Sequence, residues 1–150
     1  DPGFTQAYKG RGQIKQKLLD YQGAIADYSK AIELDRYYTN AYLLRGNTKL
    51  SLKDYRGAIA DYSKVIKLDS NNELAYNNRG IAKKESKYYQ GAIADYTKAI
   101  ELKPDSTDAY VLRGIIKENL GDLIAACADY RKAASLGEPD TAEWVRDLCN

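Results

Sequence analysis

Apolar residues recur along this chain at helical spacing, in pairs of segments separated by short polar breaks. In the second such pair, Ala41, Tyr42, Gly46, Leu50 and Leu52 fall on one face of a first helix. Lys53-Asp54-Tyr55 interrupts the pattern, and Asp54 stands where a side-chain oxygen caps the free N–H groups of the next helix. Ala58, Ile59, Tyr62, Val65, Ile66 and Leu68 then form the buried stripe of a second helix. Asp20 and Asp122 have the same capping place in the first and last pairs, whereas Tyr88 offers no acceptor in the third. Polar stretches such as Asp69-Ser70-Asn71-Asn72 and Pro104-Asp105-Ser106 end one pair and begin another. No segment alternates with period two over a useful strand length, so the predicted class is all-α.

The pairs are copies of one another. The run GAIADYSKAIELD (23–35) returns as GAIADYSKVIKLD (57–69), as GAIADYTKAIELK (91–103) and, drifted, as AACADYRKAASLG (125–137). Each copy begins 34 residues after the last, and Tyr8, Arg11, Gly12 and Lys15 head a Tyr-x-x-Arg-Gly-x-x-Lys signature that repeats at the same interval. A fixed period in this range means stacked units rather than one globular core. A glycine in mid-helix costs about 1 kcal/mol relative to alanine. Repeating it at Gly12, Gly46, Gly80 and Gly114, with Ala24, Ala58, Ala92 and Ala126 also constant, implies small residues facing one another across a tight contact. Tyr28, Tyr62, Tyr96 and Tyr130 are then knobs between neighbouring units.

These residues resemble the tetratricopeptide repeat (TPR) family: the period, the aromatic at the fourth position, Gly at the eighth, Ala at the twentieth and Tyr at the twenty-fourth. Ala31, Val65, Ala99 and Ala133 hold the twenty-seventh, where the family favours Ala. Two departures are regular, Arg before the Gly and Lys three residues after it, and the late Pro survives only as Pro104. The resemblance implies a right-handed α-solenoid of four helix-turn-helix repeats. The expected divisions are an N-terminal tail (1–4), repeats at 5–38, 39–72, 73–106 and 107–140, and a C-terminal capping helix (141–150). Ala142, Val145 and Leu148 give that last helix an apolar side, with Trp144 where a fifth repeat would place its aromatic. Solenoids need such covers at their ends, and nothing equivalent precedes the first repeat. The start at Asp1, with no initiator Met, reads as part of a longer chain.

Composition narrows the function classes. The chain is 29% charged with a net charge of +2, too little to argue for nucleic acid or a membrane surface, and it has no apolar run of spanning length. Histidine is absent and there are 2 cysteines, which removes the commonest general base and any ordinary zinc site. Asp27, Asp61, Asp95 and Asp129 recur at one repeat position, whereas an active site needs different groups converging once. No glycine-rich phosphate loop occurs. The expectation is a non-catalytic module with no cofactor.

The periodic Arg11, Arg45, Arg79 and Arg113 admit two readings. One is a positive ladder lining a groove for an acidic ligand. The other, favoured by equal counts at equal spacing, pairs each Arg with the periodic Asp of the second helix.

In the resembled family the first helices line the concave face, at roughly the second, fifth, sixth, ninth and twelfth positions. Carried onto this chain, the peptide-binding candidates are Lys9 and Gln13 in repeat one, and Asn40, Leu43, Leu44 and Asn47 in repeat two. Leu74, Asn77, Asn78 and Ile81 follow in repeat three, and Asp108, Val111, Leu112 and Ile115 in repeat four. Asn side chains suit the backbone of an extended peptide, and the aliphatics suit apolar side chains. The competing reading packs those aliphatics against adjacent helices. A carboxylate clamp for chaperone tails needs cations where this chain supplies Leu74 and Asn78 in one register, or Leu43, Asp108 and Leu112 in the other, so that partner is disfavoured. The expected partner is a protein segment or helix. A homo-oligomer stacked through the uncapped first repeat is the alternative, with a nucleic-acid-binding helical array a further and weaker one.

Cys127 lies in the last second helix and Cys149 in the covering helix. Two small buried thiols are the default reading. A disulfide tying the cover to the stack is the alternative, and would imply an oxidising compartment.

Overall fold

The computed structural model describes residues 2–149. Among them are nine helices and no strand: α1 (Pro2–Lys17), α2 (Tyr21–Leu34), α3 (Thr39–Ser51), α4 (Tyr55–Leu68), α5 (Glu73–Glu85), α6 (Tyr89–Leu102), α7 (Thr107–Asn119), α8 (Leu123–Ser135) and α9 (Pro139–Leu148). Each helix packs on its neighbours in the chain, with lighter contacts from α1 to α3 and from α3 to α5. That is the nearest-neighbour pattern of a solenoid. Helix α1 begins inside the expected tail 1–4, of which Asp1 lies outside the described residues, as does Asn150 of the expected cap 141–150.

The turn inside each repeat is built the same way. Lys53 N–H bonds to Leu50 C=O (2.9 Å) and Asp54 N–H reaches back to Lys49 C=O (2.9 Å), closing the end of α3. This closure needs a left-handed residue, and Leu19, Lys53, Lys87 and Gly121 take it with φ of 63°, 60°, 63° and 84°. Only the fourth repeat uses glycine there. The next residue opens the second helix: Asp20, Asp54 and Asp122 accept from the N–H of Gly23, Gly57 and Ala125 at 2.9–3.1 Å, and Tyr88 makes no such bond.

The core is a row of tyrosines. Tyr28, Tyr62, Tyr96 and Tyr130 are fully buried. A Cβ added at Gly46 would lie 2.8 Å from Cε1 of Tyr62, and the same ring atom would meet a Cβ at Gly12, Gly80 or Gly114 at 2.5–2.7 Å. The glycine's close neighbour is therefore the ring of its own repeat, not the small residue expected. On its other side Tyr62 clusters with Ala58 and with Ala82 of the next repeat, and Tyr96 does the same with Ile116. Thus Tyr62 and Tyr96 each close their own hairpin and join it to the next unit. Leu52, expected on the buried face of α3, lies beyond that helix and is exposed, while Thr48 is fully buried and bonds Leu44 C=O at 2.9 Å.

At the C-terminal end α9 takes the place of a fifth repeat. Trp144 meets Tyr130 edge to face, with ring centroids 5.3 Å apart. Arg131 Nη2 donates to Cys149 C=O at 2.6 Å. Cys127 and Cys149 are joined as a disulfide, with Cα atoms 5.6 Å apart, which corrects the default of two free thiols. Packing α9 along α8 brings the two sulfurs together, the arrangement that the alternative reading required.

Candidate functional site

The periodic charges are spent inside the stack. Arg45 Nε donates to Asp61 Oδ2 at 2.9 Å and Nη2 to Oδ1 at 2.6 Å, and Lys49 Nζ adds a third bond at 2.8 Å. The same pairing joins Arg11 and Lys15 to Asp27, Arg79 and Lys83 to Asp95, and Arg113 and Lys117 to Asp129. Two parallel bonds from a planar fork are the strong form of ion pair. A further link reaches the preceding repeat: Nη1 of Arg45, Arg79 and Arg113 donates to the hydroxyl of Ser29, Ser63 and Thr97 at 2.9–3.0 Å. Each guanidinium also lies 5.2–5.7 Å from the ring of the tyrosine three residues before it. The arginines are structural ties and not a ligand ladder.

Arg11, on the first of the described helices, differs from the other three. Its side chain is 58% exposed, against 18% for Arg45 and Arg79. Its hydrogen bond to Asp27 nonetheless holds that carboxyl below the usual carboxylate value, with Lys15 assisting against the cost of burial.

The remaining first-helix residues form the candidate site. Leu74, Asn77, Asn78 and Ile81 of α5 line a cleft of about 290 Å³ together with Asp108, Val111 and Leu112 of α7. Helix register explains the grouping: second, fifth, sixth and ninth positions share one face, three and four residues apart. Gln13 and Leu44 line a second cleft of about 340 Å³ between α1 and α3. That cleft also takes Gln16, Lys17, Tyr21 and Ser51. Lys17 and Ser51 were not singled out in sequence, yet their repeat position reads Lys, Ser, Glu, Asn along the chain, and that variation is the signal that finds it.

Between the clefts Asn78 Nδ2 donates to Asn47 Oδ1 at 3.0 Å, and Tyr62 OH donates to the same oxygen at 2.8 Å. Asn47 therefore carries structural bonds, and it is not in the lining of either cleft. Leu43 is half-buried and packs on the cores around Val65 and Tyr62, so for it the packing reading holds. Lys9 and Ile115 are half-buried and Asn40 is exposed.

The buried tyrosine hydroxyls report on this face from beneath. Tyr28 donates to Gln16 at 2.9 Å and Tyr130 to Glu118 at 2.5 Å. Tyr96 has no partner for its hydroxyl among the described residues, because repeat three carries Ile81 and Lys84 at the two positions from which Gln16, Asn47 and Glu118 supply the acceptor in the other repeats. Burial raises the phenol pKa of Tyr62 and Tyr96 well above the usual range. Among the described residues no group of His, Cys, Asp and Glu is arranged to hold a metal ion, and no helix is long and apolar enough to cross a membrane.

Comparison with known proteins agrees with this architecture. Family models described as tetratricopeptide repeat or TPR repeat match residues 5–38, 46–87, 73–106 and 107–137. No protein of curated function matches the chain in sequence. Among solved structures, a crystal structure of MamA protein is similar at 28% identity and a TM-score of 0.87, over 91% of this chain and 74% of that one. The first TPR of Spaghetti (RPAP3), solved with the HSP90 peptide SRMEEVD, has 26% identity and a TM-score of 0.78, over 81% of this chain and 96% of its own. The Arabidopsis OM64 TPR domain has 26% identity and a TM-score of 0.75, over 78% and 97% of the two chains. With the 34-residue period, the tyrosine–glycine hairpins and four family matches in agreement, the chain belongs to the tetratricopeptide repeat family.

Proposed function

We propose that this TPR array is a non-catalytic scaffold whose first-helix face receives an extended segment or a helix of a partner protein. The α5–α7 cleft carries the reading: seven of the residues selected by repeat position line one concavity of aliphatic walls with amide and carboxylate groups among them. Leu74 remains 49% exposed there, although burying a leucine is favourable by about 2 kcal/mol. The ion-paired arginines leave no cationic ladder for an acidic tail, in keeping with the poor match to a carboxylate clamp. Photo-crosslinking from Val111, with exposed Lys67 on α4 as control, tests the assignment. A partner captured from position 111 alone, and bound at least about tenfold more weakly by Leu74→Asp, is the expected result. Equal capture from both positions removes the groove assignment.

A second reading, self-association through α1, draws on a different observation. Ala7 is exposed although Ala41, Ala75 and Ala109 at its register position are fully buried, and Ile14 is 61% exposed where Ile116 is buried. Open head-to-tail stacking is opposed by α9, which covers α8, and by Arg131, which replaces the hydroxyl that an incoming arginine would use. The α1 face therefore suits pairing with a second α1. Light scattering at two concentrations distinguishes such a dimer from a monomer.

A further inference from the structure

The α5–α7 cleft is chemically one-sided. Asn77 Nδ2 donates to Glu73 Oε1, and Ser106 Oγ donates to the same carboxylate oxygen at 3.0 Å. A carboxylate accepts and does not donate, so this contact fixes which end of the Asn77 amide is nitrogen. The other end, Oδ1, is buried and has no hydrogen-bond partner. A buried acceptor without a donor is costly enough that most such groups in folded proteins are satisfied. Beside it stands Asp108, exposed, lining the same cleft, with no cation paired to it among the described residues. The arrangement is peculiar to this pair of repeats. At the register of Glu73 the others carry Thr5, Thr39 and Thr107, and at that of Asn77 they carry Lys9, Leu43 and Val111.

Resting on the groove assignment above, we infer that this cleft recognises a partner segment in which an aliphatic side chain stands next to a lysine or arginine. The aliphatic group fills the space between Leu74, Ile81, Val111 and Leu112. The cation lies against Asp108, and a turn of the Asn77 side chain brings Oδ1, closed to solvent in the free protein, within reach of an N–H of the segment. Charge complementarity decides for this occupant: the unpaired groups of the cleft are acceptors and one is anionic, so an acidic residue or a chain-terminal carboxylate meets repulsion. A bare aliphatic side chain would fill the walls and leave Asn77 Oδ1 unanswered.

The test uses the full chain and a displayed library of nonapeptides with a central leucine, the other positions randomised among Lys, Glu, Ser and Ala. Wild-type protein is expected to enrich lysine beside the leucine, and the selected peptides to bind Asp108→Lys about tenfold more weakly, with glutamate enriched in its place. Asp108 is exposed but lies in the first turn of α7, so the variant is expected to stay folded with a slightly lower melting temperature from the lost interaction with the helix N-terminus. Enrichment of glutamate by the wild type, or a profile indifferent to Asp108→Lys, overturns the inference. If peptides shift backbone amide signals along α5 and α7 without any charge preference, this inference fails and the groove survives. If none of the selected peptides shifts those signals, or nothing is selected, both fall.

Discussion

Arg79 and Asp95 meet through two parallel hydrogen bonds, Nε to Oδ2 at 2.9 Å and Nη2 to Oδ1 at 2.7 Å. The third nitrogen of the same guanidinium donates to Ser63 of the preceding repeat at 3.0 Å, so one side chain ties α4, α5 and α6 together. Removing it leaves a buried carboxylate with Lys83 as its remaining cation. Arg79→Ala is expected to cost about 2–3 kcal/mol, toward the low end for breaking one side of a buried pair. Arg11→Ala, at a more exposed side chain with no hydroxyl link among the described residues, is expected to cost distinctly less. Thermal unfolding of the two variants measures the difference, and equal losses would show that the tie between repeats contributes nothing.

Tyr62 and Tyr96 occupy equivalent buried positions but differ at the hydroxyl. Tyr62 donates to Asn47, and Tyr96 donates to nothing. An unsatisfied buried polar group costs about 1–3 kcal/mol, while a satisfied hydrogen bond contributes about 1 kcal/mol net. Tyr96→Phe is therefore expected to leave stability unchanged or raise it by about 1 kcal/mol, and Tyr62→Phe to lower it by about as much. Denaturant melts of both variants settle the sign, and a matching loss in both contradicts the assignment of partners.

The fold was legible in the chain because repetition supplies its own alignment. Four copies placed each helix, each aspartate cap and each Arg–Asp pair. What was not legible depended on angles and on depth. Nothing in Leu19, Lys53 or Lys87 announces a left-handed turn, since glycine fills that place only at Gly121. The disulfide required α9 to be laid against α8. In the groove, repeat position brought Leu74, Asn77 and Asp108 to one cleft, but it also selected Leu43, which packs into the core instead. Register specifies the face of a helix, and the local crossing of neighbouring helices decides how deep each residue on that face sinks.

Acid should loosen the first repeat. Arg11 holds the Asp27 carboxyl below its ordinary value of 3.8, so the folded state binds this proton less readily than the unfolded chain. The stabilisation is present above pH 3.8 and is lost as pH falls through the lower, folded value. Asp27→Asn is expected to be less stable near neutrality and to show a shallower decline between about pH 4 and pH 2. Alkali acts with the opposite sign. Burial raises the phenol pKa of Tyr28, Tyr62 and Tyr96, so their contribution holds below pH 10.0 and fades above it. Unfolding followed by circular dichroism across pH reads both limbs, and an acid limb unchanged by Asp27→Asn excludes the carboxylate as its source.

The Cys127–Cys149 bond closes a span of 22 residues that holds the end of α8, its turn and all of α9. Cross-linking a loop of this size stabilises by about 3 kcal/mol, largely by restricting the unfolded chain. In a solenoid that benefit should stay local, because each unit feels only its neighbours. Cys149→Ser leaves α9 held by Trp144 on Tyr130 and by the buried Thr141. The expected outcome is faster amide hydrogen exchange through α9 and the C-terminal half of α8, with α3 to α6 unchanged. Exposure of the Tyr130 face should follow whenever α9 lifts, making the variant prone to concentration-dependent association. Uniform acceleration along the whole array would instead mean that the cap and the inner repeats unfold as one unit.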